Sequence, residues 1–141
     1  MRVLDASMTL AWLFLRVDPI EAALADRALD ELDNEQFLVP AIWYAEVSNA
    51  VLLGECKRVV TQAQCDIFLA ELGIAGIKSD SADLKVRQGI VLALARAHAL
   101  TAYDATYLEL AIRTSATLYT FDRKLAEAAR NTGVRVFGDA P

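Results

Sequence analysis

Four acidic residues far apart in the chain stand where a carboxylate could do chemistry: Asp5, Glu46, Asp104 and Asp122. Asp5 directly follows the short run Arg2–Leu4, and Asp122 directly follows Leu118–Phe121, so each comes just after a predicted strand. Parallel α/β sheets place functional groups at the carboxyl ends of their strands, near the point where the strand order reverses. Both positions therefore favour a ligand or metal site. Either acid could instead cap the helix that follows, although Ser7 offers another cap beside Asp5.

Glu46 and Asp104 are predicted to lie on the inward faces of helices. At about 100° per residue, a helix over Ala41–Cys56 places Glu46 inside its apolar stripe. A helix over Thr101–Thr114 does the same for Asp104. The polar face of this second helix is predicted to comprise Thr106, Glu109 and Arg113. An ionised carboxylate facing a core is costly unless a cation or hydrogen bonds compensate, so the two stripes are predicted to converge on a polar site.

Two purely structural roles for these inward-facing acids stay open. Thr101 and Asp104 have the spacing of a capping box, in which side chains and amides at a helix start bond reciprocally. Glu46 could form a buried ion pair with an arginine. Either arrangement would satisfy the carboxylate without a metal ion.

The chemistry that suits four such acids is hydrolysis assisted by a metal ion. Carboxylates brought together either acquire raised pKa values or bind a cation. Oxygen ligands without histidine or cysteine favour Mg²⁺ or Mn²⁺ over zinc. Such ions lower the pKa of an attacking water and stabilise charge on a scissile phosphate. The acids therefore predict cleavage of phosphodiester bonds without a nucleophilic side chain.

The elements that must position these acids alternate along the chain between short apolar runs and longer segments of helical periodicity. The predicted strands are Arg2–Leu4, Phe37–Val39, Ala75–Lys78, Thr117–Thr120 and Val134–Phe137. The predicted helices are Ser7–Arg16, Ile20–Asp33, Ala41–Cys56, Thr61–Leu72, Ser81–Ala99, Thr101–Thr114 and Asp122–Asn131. This alternation predicts one α/β domain over residues 1–141, with a mostly parallel five-stranded sheet covered by helices on both faces.

Composition limits the remaining possibilities. The chain has 141 residues, 55% hydrophobic and 23% charged, which excludes a disordered or fibrous protein. Its formal net charge of −5 argues against a general nucleic-acid coat protein, so any RNA contact must rely on local basic residues and metal ions. Cys56, Cys65 and the single His98 cannot supply the roughly four ligands of a zinc site, and both cysteines are expected to be reduced. The apolar stretch Met8–Leu15 is too short to cross a bilayer and no secretion signal is recognised, so a cytoplasmic location is expected.

The four acids lie within four longer stretches: Val3–Ser7, Pro40–Ala50, Leu100–Ala111 and Leu118–Leu125. In their order and rough spacing these stretches resemble the PIN-domain ribonucleases and, within that family, the VapC-type toxins of toxin–antitoxin pairs. The likeness spans nearly the whole chain. The resemblance implies a PIN-like domain and a Mg²⁺- or Mn²⁺-dependent endoribonuclease.

The resemblance also implies roles for individual residues and partners. The four acids correspond to the metal-binding quartet of the family, the hydroxyls of Ser7 and Thr120 line the same site, and Asn49 is a candidate partner of Glu46. Family members cleave structured RNA such as tRNA or ribosomal RNA and commonly act as homodimers. Each is silenced by a cognate antitoxin, here of the VapB type, which often sends an arginine among the carboxylates.

Further residues are candidates for contacts with RNA or with protein partners. Arg123 and Lys124 adjoin Asp122 and could contact phosphates of the RNA. The bulky apolar side chains around Trp12 and Phe14 are expected in the core by default, but a domain of this size has limited interior, so we also predict a homodimer and an antitoxin groove that uses Trp12 or Phe14.

Two rival functions stay open. The first is a phosphotransfer or phosphatase domain, although dehalogenase-type phosphatases need a second aspartate where this chain has Ser7, and no receiver-type set of acids and lysine is found. The second is a catalytically silent interaction domain of the same fold.

Overall fold

The computed structural model describes all 141 residues, in four strands and seven helices. The strands are β1 (Arg2–Leu4), β2 (Phe37–Val39), β3 (Ile77–Ser79) and β4 (Thr117–Tyr119). The helices are α1 (Ala6–Leu10), α2 (Pro19–Glu31), α3 (Ile42–Cys56), α4 (Gln62–Ile74), α5 (Leu84–His98), α6 (Ala102–Thr114) and α7 (Arg123–Asn131). None of these helices has the length and apolar character needed to span a membrane.

The four strands form one parallel sheet in the order β3-β2-β1-β4. The chain passes from β1 to β2 to β3 in one direction, and then back past β1 to β4. Crossovers between parallel strands are right-handed as a rule, which puts helices α1 to α4 on one face and α5 to α7 on the other. In agreement, α1 packs against α3, while α6 packs against α5, α7, β1 and β4. The strand order reverses between β1 and β4, which is where ligands bind in open α/β sheets.

The predicted fifth strand over Val134–Phe137 is reduced to a single bridge, so the sheet has four strands rather than five. Val136 pairs with Leu118, with hydrogen bonds from Leu118 N to Arg135 O at 2.8 Å and from Phe137 N to Leu118 O at 2.9 Å. The chain then turns at Phe137, and Gly138 adopts a φ of 94°, a left-handed conformation that few other residues accept. The turn ends the extended segment before a second pair can form.

The helix predicted over Ser7–Arg16 stops at Leu10, because the next residues turn to place two aromatic side chains inside the domain. The indole of Trp12 donates to Ala25 O at 2.9 Å. Phe14 lies so close to Gly54 that a Cβ there would stand 2.6 Å from its ring. Both side chains are used within the chain, and the prediction that they form a partner groove is not supported.

Helix α6 buries an acid that helical periodicity assigned to its polar face. Glu109 is only 3% exposed, and Thr106 is buried as well. Arg87 Nε donates to Glu109 Oε1 at 2.6 Å, and Arg113 Nε donates to the same oxygen at 2.9 Å. Arg113 also pairs with Asp80, which follows β3, at 2.6 Å. The polar face predicted for α6 is therefore buried at Thr106 and Glu109, and arginines from α5 and α6 compensate the buried carboxylate of Glu109.

Candidate active site

Asp5 is the most buried of the four acids, with 4% of its surface exposed. Its amide donates to Tyr119 O at 3.0 Å, which holds it beside the end of β4. The hydroxyls of Ser7 and Thr120 donate to its Oδ2 at 2.5 and 2.6 Å, while its Oδ1 accepts no hydrogen bond from the protein. Asp5 occupies the N-cap position of α1 but makes no capping hydrogen bond, so capping does not explain this carboxylate.

Ser7 and Thr120 join the chain after β1 to the chain after β4. Their hydroxyl oxygens are 3.2 Å apart, and both hydroxyls donate to Asp5 Oδ2. The Ser7 hydroxyl also accepts from Phe121 N at 2.9 Å, and the Thr120 hydroxyl accepts from Asp122 N at 3.0 Å. Ser7 thus lies within α1 rather than capping it. These bonds fix the strand ends around the carboxylate of Asp5.

Glu46 is held by a tyrosine rather than by an arginine. It is half-buried on α3, and the fully buried Tyr107 of α6 donates its hydroxyl to Glu46 Oε1 at 2.8 Å. This role of Tyr107 was not predicted from the sequence. Its position three residues after Asp104 puts both on one helix face, and a buried phenol needs a hydrogen-bond partner, so a signal was present.

Asp104 and Asp122 each stand at the start of a helix. The Thr101 hydroxyl accepts from Asp104 N at 3.1 Å, but Asp104 does not return a bond to the Thr101 amide, so the reciprocal capping box is incomplete. Asp122 Oδ1 caps α7 by accepting from Leu125 N at 2.8 Å. Capping therefore uses one oxygen of Asp122 and leaves the carboxylate of Asp104 available.

Burial and mutual repulsion raise the pKa of Asp5. Burial is the largest cause, and the hydrogen bonds from Ser7 and Thr120 oppose it by stabilising the ionised form. The negative charges of Asp104 and Asp122 then add to the increase. Asp5 is thus a buried carboxylate that its acidic neighbours destabilise in the charged form.

The same two causes act on Glu46 and Asp104. Burial raises the pKa of Glu46, the hydrogen bond from Tyr107 opposes the change, and the charges of Asp5 and Asp104 add to it. Burial also raises the pKa of Asp104, with a further contribution from the charge of Asp122. No lysine or arginine forms an ion pair with any of the four acids. The acids therefore form one region of uncompensated negative charge.

The ligand atoms of this region are of the type that a hard divalent cation prefers, but they do not form a complete coordination site. All its ligating atoms are carboxylate and hydroxyl oxygens, which Mg²⁺ and Mn²⁺ prefer. No three acidic, histidine or cysteine side chains stand together so that they could hold a metal ion as they are. Binding would require side-chain rotation. The half-buried acids Glu46 and Asp104 have room for such movement, whereas Asp5 is fixed by two hydroxyls.

The remaining predicted site residues lie at the surface around these acids. Asn49 is exposed on α3 and makes no side-chain hydrogen bond to Glu46, so its role stays a prediction. Arg123 and Lys124 are exposed in the first turn of α7, directly after Asp122, and neither is engaged in an ion pair. Their positions leave both free to contact a ligand at the edge of the site.

Comparison with known proteins bears on the fold. No protein-family model and no curated protein matches the chain. The structure is similar to that of PAE2754 from Pyrobaculum aerophilum, with a TM-score of 0.68, 23% identity, and coverage of 90% of this chain and 84% of that one. It is also similar to FitAcB from Neisseria gonorrhoeae, with a TM-score of 0.64, 21% identity, and coverage of 98% and 97%.

The chain has a PIN-like fold. This agrees with the fold that the sequence resemblance implied. At these identities the likeness extends to the fold alone. The function is therefore inferred from the chain's own residues.

Proposed function

We propose that this PIN-like chain is a Mg²⁺- or Mn²⁺-dependent endoribonuclease and the VapC-type toxin of a toxin–antitoxin pair. The observation that carries the proposal is the uncompensated burial of Asp5 where the strand order reverses. Its charge is opposed by Asp104 and Asp122 and balanced by no arginine or lysine. Two hydroxyl hydrogen bonds compensate the buried charge only in part, and a bound cation would compensate the rest.

The proposed division of labour assigns a role to each residue. Asp5, Glu46, Asp104 and Asp122 would hold the metal, and the bound ion would supply an activated water and stabilise charge on the phosphate. Ser7 and Thr120 fix the orientation of Asp5 through its Oδ2, which leaves Oδ1 free for a ligand. Tyr107 orients Glu46 in the same way.

The proposed function is tested by incubating the purified chain with total RNA and with tRNA and ribosomal RNA separately. Cleavage is expected with Mg²⁺ or Mn²⁺ and is expected to stop when EDTA removes the ion. Asp104→Asn should lose at least about 100-fold in rate, because it removes one metal-binding carboxylate. Asp66→Asn is the control, since Asp66 is exposed on α4 and takes no part in the site.

Each other outcome of this test has a definite meaning. Cleavage that persists in EDTA would contradict the metal-dependent mechanism. Release of phosphate from small monoesters without RNA cleavage would favour the phosphatase alternative. An intact, folded chain that leaves every RNA uncut with either metal would favour a catalytically silent interaction domain.

We further propose that the chain forms a homodimer and binds a VapB-type antitoxin. Exposed apolar side chains follow helical spacing on two helices, with Val86 and Ile90 on α5 and Ile67 and Ile74 on α4. Apolar stripes of this kind commonly mark protein interfaces. A groove of about 280 Å³ between α3 and α4, lined mainly by apolar residues, offers a further seat for a partner's side chains.

These partners are tested by light scattering on the chain alone and after co-expression with a VapB-type antitoxin. We expect twice the monomer mass for the chain alone and a complex that no longer cleaves RNA. Paired substitutions, Val86→Asp with Ile90→Asp and Ile67→Asp with Ile74→Asp, should each disrupt one of the two associations. A monomer that gains no partner on co-expression would contradict both proposals.

A further inference from the structure

A groove of about 360 Å³ opens beside the acids, between the first turns of α3, α5 and α6. Its apolar wall and its polar groups come from six main residues: Ile42, Val91, Ala102, Lys85, Gln88 and Tyr103. Tyr103 directly precedes Asp104 on α6, and Ile42 lies four positions before Glu46 on α3. The helices α3 and α5 follow β2 and β3, so the groove lies at the same carboxyl edge of the sheet as the acids. None of the four acids lines the groove itself, but it opens at the same edge of the sheet as the proposed catalytic site.

The charge of this groove differs from that of the chain as a whole. The chain carries a net charge of −5, yet the lining of the groove includes Lys85 and no acidic residue. Lys85 forms no ion pair, and the nearby Asp83 carboxylate is occupied in capping α5, accepting from the Lys85 amide at 2.9 Å. By contrast, the cavity next to Asp122 is lined by four carboxylates against two arginines, so its lining is negative on balance. Of the two cavities, the groove is the one suited to an anionic chain.

Tyr103 gives the groove a surface on which a nucleobase can stack. Tyr103 is 60% exposed, which is more than any other tyrosine, tryptophan or phenylalanine in the chain. Exposed aromatic rings beside a basic residue are the usual platform for unpaired bases of RNA, with apolar walls and an amide completing the contacts. Gln88 can supply that amide from α5.

We propose that this groove binds one unpaired nucleotide of the RNA substrate adjacent to the scissile phosphate. Its base stacks on Tyr103 against the apolar wall, and Lys85 contacts its phosphate. This inference rests on the proposed ribonuclease function and deepens it, since it explains how an acidic protein holds RNA next to a cluster of carboxylates. It also assigns the substrate class: RNA with a single-stranded nucleotide beside the cut, rather than a continuous duplex.

The test combines protein variants with RNA oligonucleotides in which one base at a time, on either side of the cut, is replaced by an abasic unit. For the wild type, one abasic position is expected to raise KM about 10-fold with little change in kcat, because base stacking on an aromatic ring is lost. Tyr103→Ala should raise KM by a similar factor on the intact RNA and become insensitive to that abasic position. Tyr103→Trp should restore both the lower KM and the sensitivity.

The charge of Lys85 is tested separately. Lys85→Gln should raise KM and reduce the dependence of KM on salt concentration, since one phosphate contact is removed. Tyr44→Ala and Lys57→Gln are the matched controls: Tyr44 is an exposed tyrosine at a different groove, and Lys57 is an exposed lysine at the far end of α3. Neither control should alter the abasic profile. Since Tyr103 and Lys85 are exposed, the melting temperatures of their variants should match that of the wild type.

The possible failures are distinguishable. If the wild type cuts no RNA with either metal, the proposed function fails before the groove is tested. If the wild type cuts RNA but Tyr103→Ala keeps its KM and its abasic profile, the groove is not a nucleotide site. If Tyr103→Ala leaves RNA kinetics unchanged and weakens binding of an antitoxin, the groove is a protein-docking site and the proposal is overturned.

Discussion

Asp5→Asn is expected to abolish RNA cleavage and, at the same time, to stabilise the metal-free protein. The amide oxygen of asparagine can still accept the bonds from Ser7 and Thr120, so the local structure is kept. The charge that a metal would need is gone, and the rate should fall at least about 100-fold. Removing a buried and repelled charge should raise the melting temperature in EDTA by roughly 2–6 °C, the shift that on the order of 1 kcal/mol produces in a domain of this size.

The pH dependence of this stabilisation has a definite sign. The pKa of Asp5 is raised in the folded state from its usual 3.8, so the folded protein keeps a proton that the unfolded chain has already lost. The free energy of unfolding of the metal-free wild type therefore falls as the pH rises from about 4 through the raised pKa. Asp5→Asn lacks this loss, and its advantage over the wild type should widen across that interval. Thermal melts in EDTA from acid to neutral pH measure the difference.

Metal and a second aspartate provide the controls for Asp5→Asn. Mg²⁺ or Mn²⁺ should raise the melting temperature of the wild type and leave that of the variant nearly unchanged, since a ligand stabilises only the form that binds it. Asp139 is exposed and paired with Arg130 at 2.8 Å, which lowers the pKa of Asp139. Asp139→Asn should therefore destabilise the protein, whereas Asp5→Asn stabilises it. Its small destabilisation is present at neutral pH and disappears in acid. Equal stabilisation of wild type and Asp5→Asn by metal would contradict a metal site at Asp5.

Glu109→Ala, a substitution outside the acid cluster, is expected to lower the free energy of unfolding substantially. It leaves Arg87 and Arg113 without their shared carboxylate on the packed surface between α5 and α6. Breaking a fully buried pair costs about 3–5 kcal/mol; here each arginine side chain is 26% exposed and can be partly hydrated, so we expect about 2 kcal/mol. Urea unfolding monitored by circular dichroism measures the change in the unfolding midpoint.

A matched substitution and a double variant test the cause of this loss. Glu71→Ala removes an exposed acid from α4 that forms no ion pair, and it should change the free energy of unfolding by less than about 0.5 kcal/mol. Replacing both partners, as Glu109→Leu with Arg87→Leu, should recover part of the stability, because no unpaired charge then remains on that side. If Glu109→Ala unfolds at the same urea concentration as the wild type, the ion pairs make no net contribution.

Helix α6 shows where helical periodicity succeeds and where it fails. The pattern placed Asp104 on an inward face, and the structure finds it half-buried beside the other acids. The same pattern placed Glu109 on the polar face of the helix, and the structure buries that face at Glu109. Periodicity describes one helix in isolation and contains no information on Arg87, which belongs to the neighbouring helix. A polar residue is buried or exposed according to the partner that the adjacent element supplies.

The strands show the same division between local and distant information. The strands Arg2–Leu4 and Phe37–Val39 were predicted with their observed bounds, because a short apolar run between turns is typical of a buried strand. The segment Val134–Phe137 has the same apolar character but forms only one bridge. Its pairing depends on how long the chain stays beside β4, and the turn at Gly138 decides that. Apolar composition predicts that a segment is buried, but not that it joins a sheet.

Local sequence patterns predicted which residue types occupy each position: acids directly after strands and on apolar helix faces, and hydroxyls close to two of them. Only the folded chain shows that Thr120 donates to Asp5 across 115 residues and that Tyr107 donates to Glu46 across 61. These contacts could not be read from local patterns because a hydrogen bond requires two groups within about 3 Å. For residues so far apart, that distance is set by the order of the strands and the packing of the helices, which no local pattern specifies.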